Sequence, residues 1–342
     1  MKRSSVVTKA VKVMRTMNVM KIFIVLAFAL CVSSIGYAQD QAVYNEYIKT
    51  QGILNPGYNG ARGSMSGLMV FRSQWTGFEG APYTVGLNFA SPLDNFSRKL
   101  KKIGAGIVIQ NDHEGLTNNL EFSVAGSYRV VDERRLKLQL GLSLGVNNKR
   151  INGAEAITSD YGDPMFTGNI SKFGFNFGFG GFLWSEKNDN NFFAGIAIPK
   201  FFATKYDTNT QQIKHTVSMK DLHTYIYGGY LFEVSNNGTL LRPTALMRVV
   251  PGAPMQFDIS GSVFLMDKLW LGLTYRTVSE AVLFAEYQIT KMFSVHYSFD
   301  YSISPIREYA KFGSHEFSIK YDFVAGKGKS KPGTRSKSIR YF

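Results

Sequence analysis

The strongest constraint on the fold is an alternation of apolar and polar residues with a period of two. From Leu136 to Asn147 every even position is Leu or Val, and every odd position is Lys, Gln, Ser, Asn or Gly. Successive side chains of a strand point to opposite faces, so this segment has one aliphatic face and one polar or small face. Phe173–Phe179 and Phe293–Ile303 repeat the pattern with aromatic residues. The alternation predicts a chain built mainly from β-strands.

The aromatic series changes phase at one place. Phe173 to Phe179 occupy odd positions, whereas the next aromatic residues, Phe182 and Trp184, occupy even ones. Gly180 and Gly181 lie between them. We interpret this change as a β-bulge, which adds one residue to a strand and shifts its facing.

The same analysis along the chain predicts fourteen strands. An even number of strands, most of them longer than the ~9–11 residues that span a bilayer, is typical of a bacterial outer-membrane barrel. The predicted strands lie near residues 64–75, 82–91, 103–112, 117–131, 134–151, 172–186, 190–202, 221–235, 238–250, 254–266, 268–278, 280–290, 292–303 and 313–323.

A water-soluble sandwich also alternates, so the polar face must decide between the two folds. In a sandwich that face meets water and should be dominated by long charged side chains. Here it is mostly Gly, Ser, Asn and Thr, which suits a crowded lumen. Its few charged residues are Arg129, Asp258, Arg276, Glu286 and Lys320. We expect Arg129, Asp258, Arg276 and Glu286 to pair with one another, because buried charges need partners. We therefore predict an all-β protein, a transmembrane antiparallel β-barrel over residues 64–323.

Aromatic residues near the predicted strand ends are interpreted as interfacial girdles, as found in outer-membrane barrels. They are Trp75, Tyr128, Trp184, Tyr230, Trp270 and Tyr321.

The N-terminus has the pattern of an export signal. Residues 1–21 contain six basic residues and no acidic one, and Ile22–Leu30 is apolar. Gly36 and Ala38 are the small residues at positions −3 and −1 of a cleavage site after Ala38. This order is typical of a cleaved secretory signal, and the apolar run is too short for a membrane anchor. We expect a signal peptide over 1–38, cleavage near Ala38, an outer-membrane location, and a periplasmic segment over 39–63.

The positive charge is concentrated at the two ends of the chain. The formal net charge is +14, of which the signal and the last nineteen residues contribute six each, so residues 39–323 carry only +2. This distribution argues against a nucleic-acid partner. The tail over 324–342 is rich in Gly, Ser and Lys and is predicted to be disordered. We expect it to bind an acidic periplasmic partner or an anionic lipid surface through Lys327, Lys329, Lys331, Arg335, Lys337, Arg340, Tyr341 and Phe342.

No pattern of residues indicates catalysis or metal binding. The histidines lie in separate predicted elements without metal-ligand spacing; they are His113, His215, His223, His296 and His315. The single cysteine, Cys31, lies within the predicted signal. We expect a protein that is not an enzyme and has no cofactor or metal.

Several short segments together carry a resemblance to a known family. They are Gly52–Gly57, Arg72–Gly77, Asp163-Pro164, Trp270–Gly272 and Gly313–Glu316. In order and spacing they resemble the PorP/SprF-type outer-membrane proteins of the type IX secretion system. The resemblance covers roughly residues 40–323, and the basic tail departs from it.

The resemblance implies a barrel component of the type IX secretion and gliding machinery. Its implied partners are outer-membrane lipid, periplasmic ring lipoproteins or a peptidoglycan-binding protein, and a secreted surface adhesin as cargo. Two alternatives stay open, a passive porin and a non-conducting adhesion scaffold. A fourteen-strand barrel lies between narrow barrels, which fill with side chains, and wide ones, which hold water.

Overall fold

The computed structural model describes residues 44–323, except 78, 134–135, 154–168, 186–190, 202, 208–211, 217–221, 235–237, 252, 278–279, 304–307 and 309–310. The predicted signal peptide and the predicted disordered tail therefore lie outside the described residues. No helix in the described ranges is long and apolar enough to cross a membrane.

Fourteen antiparallel strands close into a barrel, which confirms the predicted fold class and strand number. The first strand pairs with the last, Met65 opposite Phe323 and Ser73 opposite His315. The strands found in the described ranges are β1 (Met65–Ser73), β2 (Tyr83–Pro92), β3 (Ile103–Glu114), β4 (Thr117–Asp132), β5 (Lys137–Asn152), β6 (Asn169–Trp184), β7 (Phe192–Ile198), β8 (Ala203–Asp207), β9 (Gln212–Thr216), β10 (Thr224–Tyr230), β11 (Phe232–Glu233), β12 (Leu240–Val249), β13 (Gln256–Leu265), β14 (Leu269–Arg276), β15 (Glu280–Gln288), β16 (Phe293–Ser302) and β17 (Ser314–Phe323).

Three of these strands, β8, β9 and β11, do not count as separate strands of the barrel wall. β11 continues β10 after Leu231 and pairs with the same neighbour, β12. β8 and β9 form a two-stranded hairpin of their own, within a stretch that the sequence analysis treated as a loop. β7 ends before Pro199, which has no N–H to donate to a sheet.

The burial of side chains is inverted relative to a soluble protein. On the outside, Leu144 is 61% exposed and Phe175 is 68% exposed. On the inside, Arg72 and Glu316 are each 1% exposed. An apolar outer surface around a charged interior fits a lipid-embedded barrel and not a sandwich with an apolar core. The alternation of Phe173, Phe175 and Phe177 with Gly174 and Asn176 predicts that these phenylalanines face lipid, and Phe173 and Phe175 are exposed on the outside of the barrel.

This facing predicts unequal effects of a lysine on the two sides of the wall. Phe175→Lys should cost ~2–4 kcal/mol if the residue lies near the bilayer midplane, because a charge on the lipid face must be desolvated. Urea unfolding in lipid vesicles and heat-modifiability on gels measure the loss. Asn147→Lys is the matched control, since Asn147 faces the lumen opposite Glu121 and pairs with Gly174, one residue from Phe175. Equal destabilisation by the two lysines would contradict the facing.

The predicted bulge at Gly180-Gly181 is not present. β5 and β6 pair without a register shift from Asn152↔Asn169 to Lys137↔Trp184. Phe182 and Trp184 therefore face the lumen, where both are fully buried. The change of phase therefore means that the aromatic side chains of β6 lie on its lipid face up to Phe179 and on its lumen face from Phe182 onward.

Two residues assigned to the girdles are also inside the barrel. Trp184 and Trp270 are at most 1% exposed, and the guanidinium groups of Arg129 and Arg242 lie 5.4 and 4.3 Å from their ring centroids. An indole N–H and a cation above the ring are better placed in a polar lumen than in lipid. Tyr128 and Tyr321 do face outward, as predicted, with 52% and 40% exposure.

We call the end of the barrel where β1 begins and β17 ends the near end, and the opposite end the far end. The near end carries short turns, including Met266-Asp267, which adopt positive φ angles of 53° and 57°. Consecutive left-handed residues suit the twist of a tight β-hairpin turn. Short turns face the periplasm in outer-membrane barrels, so we expect the near end to lie on the periplasmic side.

Candidate functional site: the plugged lumen

Residues 44–62 lie inside the barrel, and we call this segment the plug. It contains one turn of α-helix, α1 (Gln51–Leu54), followed by a 3-10 turn over Pro56–Tyr58. The Asn55 side chain caps the 3-10 turn by accepting a hydrogen bond from the N–H of Gly57 at 2.8 Å. The periplasmic location expected for 39–63 therefore does not describe residues 44–62. Apolar side chains in this segment, including those of Tyr47 and Ile48, are buried in the lumen and so are removed from water.

Toward the far end, side chains of the barrel wall form hydrogen bonds with the main chain of the first plug residues. The carboxylate of Glu316 on β17 accepts hydrogen bonds from the N–H groups of Asn45 at 2.7 Å and Glu46 at 3.5 Å. The guanidinium of Arg276 on β14 donates to the carbonyl of Tyr44 at 3.2 Å. The Asn45 side chain donates to the hydroxyl of Ser298 at 3.0 Å and accepts from Arg72.

The charged residues of the wall also pair among themselves, as the sequence analysis expected for Arg276 and Asp258. Arg276 contacts both carboxylate oxygens of Asp258 at 3.0–3.2 Å and also pairs with Glu280. Arg72 donates to Asp300 at 2.8 Å. These pairs compensate the desolvation of each ion inside the barrel.

Two ion pairs join the plug to the wall closer to the near end. Lys49 pairs with Glu286 on β15, and Arg62 pairs with Asp322 on β17 at 3.0 Å. Glu286 was expected to pair with another wall residue, but its partner comes from the plug. Both plug cations were absent from the predicted site residues.

Amide groups of the plug complete its polar contacts. Asn55 donates to the carbonyl of Gly181 and to the hydroxyl of Tyr227, both at 3.0 Å. The carbonyl of Asn59 accepts from Ser127 at 2.6 Å and from Gln139 at 2.8 Å. The plug is therefore bound to strands on opposite sides of the lumen.

An apolar cluster fills the space between the plug and one side of the wall. The ring of Tyr58 meets Phe182 edge-on with centroids 4.9 Å apart, and Tyr47 meets Tyr227 in the same manner at 6.1 Å. A Cβ at Gly141 would lie 2.4 Å from the carbonyl carbon of Pro56. Glycine at this wall position lets the plug backbone approach the sheet.

Little space remains around the plug. One cavity of about 40 Å³ lies between the plug and β3–β5, and another of about 10 Å³ lies beside Lys49 and Arg62. Such volumes hold a few water molecules at most. The plug therefore occupies the lumen, and the cavities described beside it are small.

Lys200, in the connection after β7, borders the larger cavity. Its ammonium group lies 2.7 Å from the carboxylate of Glu121. Burial by itself would lower the pKa of Lys200, but the nearby carboxylates, Glu121 foremost, raise it above its ordinary value. This ion pair therefore borders the larger cavity.

The predicted tail residues, Lys327 to Phe342, lie outside the described residues. Among the described residues, no group of three or more His, Cys, Asp or Glu side chains is arranged to hold a metal ion. The structure instead brings together plug residues that the sequence analysis did not select. Phe182 and Trp184 occupy inward-facing positions of their strand, and this pair was the signal in the sequence that apolar side chains lie inside the lumen.

A closed antiparallel barrel with an apolar outside and a charged inside belongs to the class of outer-membrane β-barrels. The family model of the type IX secretion system membrane proteins PorP/SprF matches residues 36–321. The chain belongs to this family, as the resemblance had indicated. This is a family of secretion components and not of enzymes.

The chain is similar to several solved outer-membrane proteins at low identity. Omp33 of Acinetobacter baumannii is 9% identical, with 76% of this chain and 99% of that chain covered and a TM-score of 0.41. A FadL homologue of Pseudomonas aeruginosa is 10% identical, with 80% and 96% covered and a TM-score of 0.42. The monoaromatic hydrocarbon channel CymD is 10% identical, with 80% and 92% covered and a TM-score of 0.46. These values are low, and nothing about function follows from them. No curated protein matches the chain.

Proposed function

We propose that this protein supports the export or surface attachment of type IX cargo, such as adhesins, as a barrel component of the secretion and gliding machinery. The family match over residues 36–321 carries the proposal. In this role the barrel holds its place in the outer membrane while its near end contacts periplasmic ring lipoproteins or a peptidoglycan-binding protein. Signal cleavage near Ala38 is part of the proposal, and N-terminal sequencing of the mature protein tests it.

The filled lumen favours this role over a passive porin. A porin needs a continuous water path, whereas residues 44–62 occupy the lumen, and the two cavities described beside them measure about 40 and 10 Å³. A non-conducting adhesion scaffold is equally compatible with a filled lumen. The two remaining functions differ in whether export of cargo depends on the protein.

Deletion of the gene should abolish surface display of one or all type IX cargo proteins. Surface proteomics and immunolabelling of intact cells measure the display, and periplasmic accumulation of the cargo is expected because the export step fails. Uptake of small sugars and antibiotics is the control and should not change. Normal cargo display with altered uptake would support a porin, and normal export with lost adhesion would support a scaffold.

We further propose that the basic tail binds an acidic periplasmic partner. The tail contributes six positive charges in nineteen residues, more than solubility requires. Truncation after Phe323 should leave a heat-modifiable barrel that retains less of the periplasmic partner in pull-downs, and binding by the full chain should weaken as salt screens the charges. Retention of the partner by the truncated protein across a range of ionic strengths would contradict this role.

A further inference from the structure

The wall groups that contact the plug are held in place by other wall groups. Arg276 is fixed by Asp258, and Arg72 is fixed by Asp300. Gln139 donates to Ser127 at 2.7 Å, and both also donate to the plug. None of these wall–wall contacts involves the plug, so none of them is lost when the plug leaves. A site arranged in this manner binds with a smaller ordering cost.

Several of these groups recognise the main chain of the plug. Glu316 accepts from two successive N–H groups, Arg276 donates to a carbonyl, and Ser127 and Gln139 share the carbonyl of Asn59. Glu316 and Arg276 lie toward the far end of the barrel. Contacts of this kind are typical of a peptide-binding site, where main-chain hydrogen bonds contribute affinity and side-chain pockets contribute specificity.

The plug is a compact unit that shares no strand pairing with the wall among the described residues. Its backbone hydrogen bonds are local, for example from Ile53 N–H to Thr50 and from Asn55 N–H to Gln51. Its links to the wall pass through side chains. A segment bound in this way can leave the lumen without disrupting the hydrogen bonds of the sheet.

The connection from the plug to β1 is suited to such a release. Gly63 follows the last plug residue, is exposed, and adopts a φ of +72° with open space where a Cβ would lie. β1 begins two residues later at Met65. Glycine in open space allows the chain direction to change at this point.

We propose that the lumen wall is a preformed peptide-binding site, and that residues 44–62 occupy it as a tethered, non-covalent ligand that can leave and rebind as a unit. The ligand of this site is a polypeptide segment. It offers two successive N–H donors at one end, and two cationic side chains that pair with Glu286 and Asp322. In the described protein that ligand is the plug itself. Release of the plug, without rearrangement of the wall, would open the lumen.

The test is to cut the tether in the folded, full-length protein. A recognition sequence for a site-specific protease is inserted between Gly63 and Ser64, and the purified barrel is cut in detergent. The severed segment should stay with the barrel during size-exclusion chromatography. A fluorescent synthetic peptide of residues 39–63 in excess should then replace it, as followed by fluorescence anisotropy. A peptide of scrambled sequence is the control and should not bind.

A wall variant connects the exchange to the contacts described above. Glu316→Gln should accelerate loss of the severed segment by ~10–100-fold, the equivalent of weakening hydrogen bonds to a charged acceptor. Glu133→Gln, at an exposed turn of the near end, is the matched control and should leave the rate unchanged.

Two outcomes would overturn the proposal. In the first outcome, the barrel is heat-modifiable but binds neither the severed segment nor the labelled peptide. That result would mean that the tether alone holds the plug. A severed segment that never exchanges would mean that the plug is an inseparable part of the folded barrel. Should the inserted sequence prevent folding, a barrel lacking 39–62 is used instead, and the added peptide must bind it and reduce its conductance; a folded barrel that ignores the peptide overturns the proposal equally.

Discussion

Removal of residues 39–62, with the signal peptide kept, is expected to convert the protein into a conducting channel. The plug fills the lumen of a fourteen-strand barrel, and the wall behind it carries charged groups such as Arg72 and Glu286 that attract water once uncovered. Single-channel conductance in planar bilayers should rise on the order of tenfold or more above that of the full chain, in line with the water-filled lumen of wider barrels.

The same deletion should increase the sensitivity of cells to hydrophilic antibiotics. Removal of the tail over 324–342 is the matched control, because it shortens the chain by a similar number of residues beyond the last strand, β17. That control should leave conductance at the level of the full chain. A plug-free barrel that is heat-modifiable but does not conduct would mean that other residues close the lumen.

Arg276→Met is expected to be the most destabilising single substitution in the lumen. It leaves Asp258 and Glu280 without their shared cation and removes the donor to the carbonyl of Tyr44. Loss of one partner of a buried ion pair typically costs ~3–5 kcal/mol, because the remaining charge stays desolvated. Urea unfolding in lipid vesicles measures the cost.

Arg129→Met is the matched control for that substitution. Arg129 pairs with Asp132 at 3.4 Å in a partly exposed setting near the end of β4. Such pairs contribute ~0–1 kcal/mol, and the cation–π contact of Arg129 with Trp184 contributes about 0.5–1 kcal/mol, so this variant should cost about 2 kcal/mol at most. The double variant Arg276→Met with Asp258→Leu should be less destabilised than Arg276→Met, since one unpaired carboxylate is removed. Similar stability of Arg276→Met and Arg129→Met would show that water compensates the charges of the lumen.

The barrel itself could be predicted from local patterns. Alternation over Leu136–Asn147 and Phe293–Ile303 follows from the geometry of a single strand and needs no knowledge of its neighbours. The scarcity of long charged side chains on the polar face distinguished a lumen from a water-facing surface. The hairpin β8–β9 was missed, because each of its strands has only five residues and too few alternations to exceed the background of a polar loop.

The plug could not be predicted, because its partners are distant in the sequence. Asn45 contacts Glu316, 271 residues away, and Arg62 contacts Asp322, 260 residues away. Gly52–Gly57 drew attention only as part of a family resemblance. The sequence pattern predicts Trp184 in a lipid girdle and a bulge at Gly180-Gly181 before Phe182, whereas the uninterrupted register of β6 places both side chains on its lumen side.

The sequence by itself determined the period of the strands, the number of strands in the barrel and, apart from Phe182, Trp184 and Trp270, which side chains face lipid. These properties follow from side chains alternating along an extended backbone in contact with an apolar solvent. Only the tertiary structure decided what the lumen contains. Closure of β1 onto β17 creates an interior whose charges must be paired and whose aromatic side chains must be covered. Residues 44–62 meet both requirements at once, and that complementarity exists only after the barrel has closed.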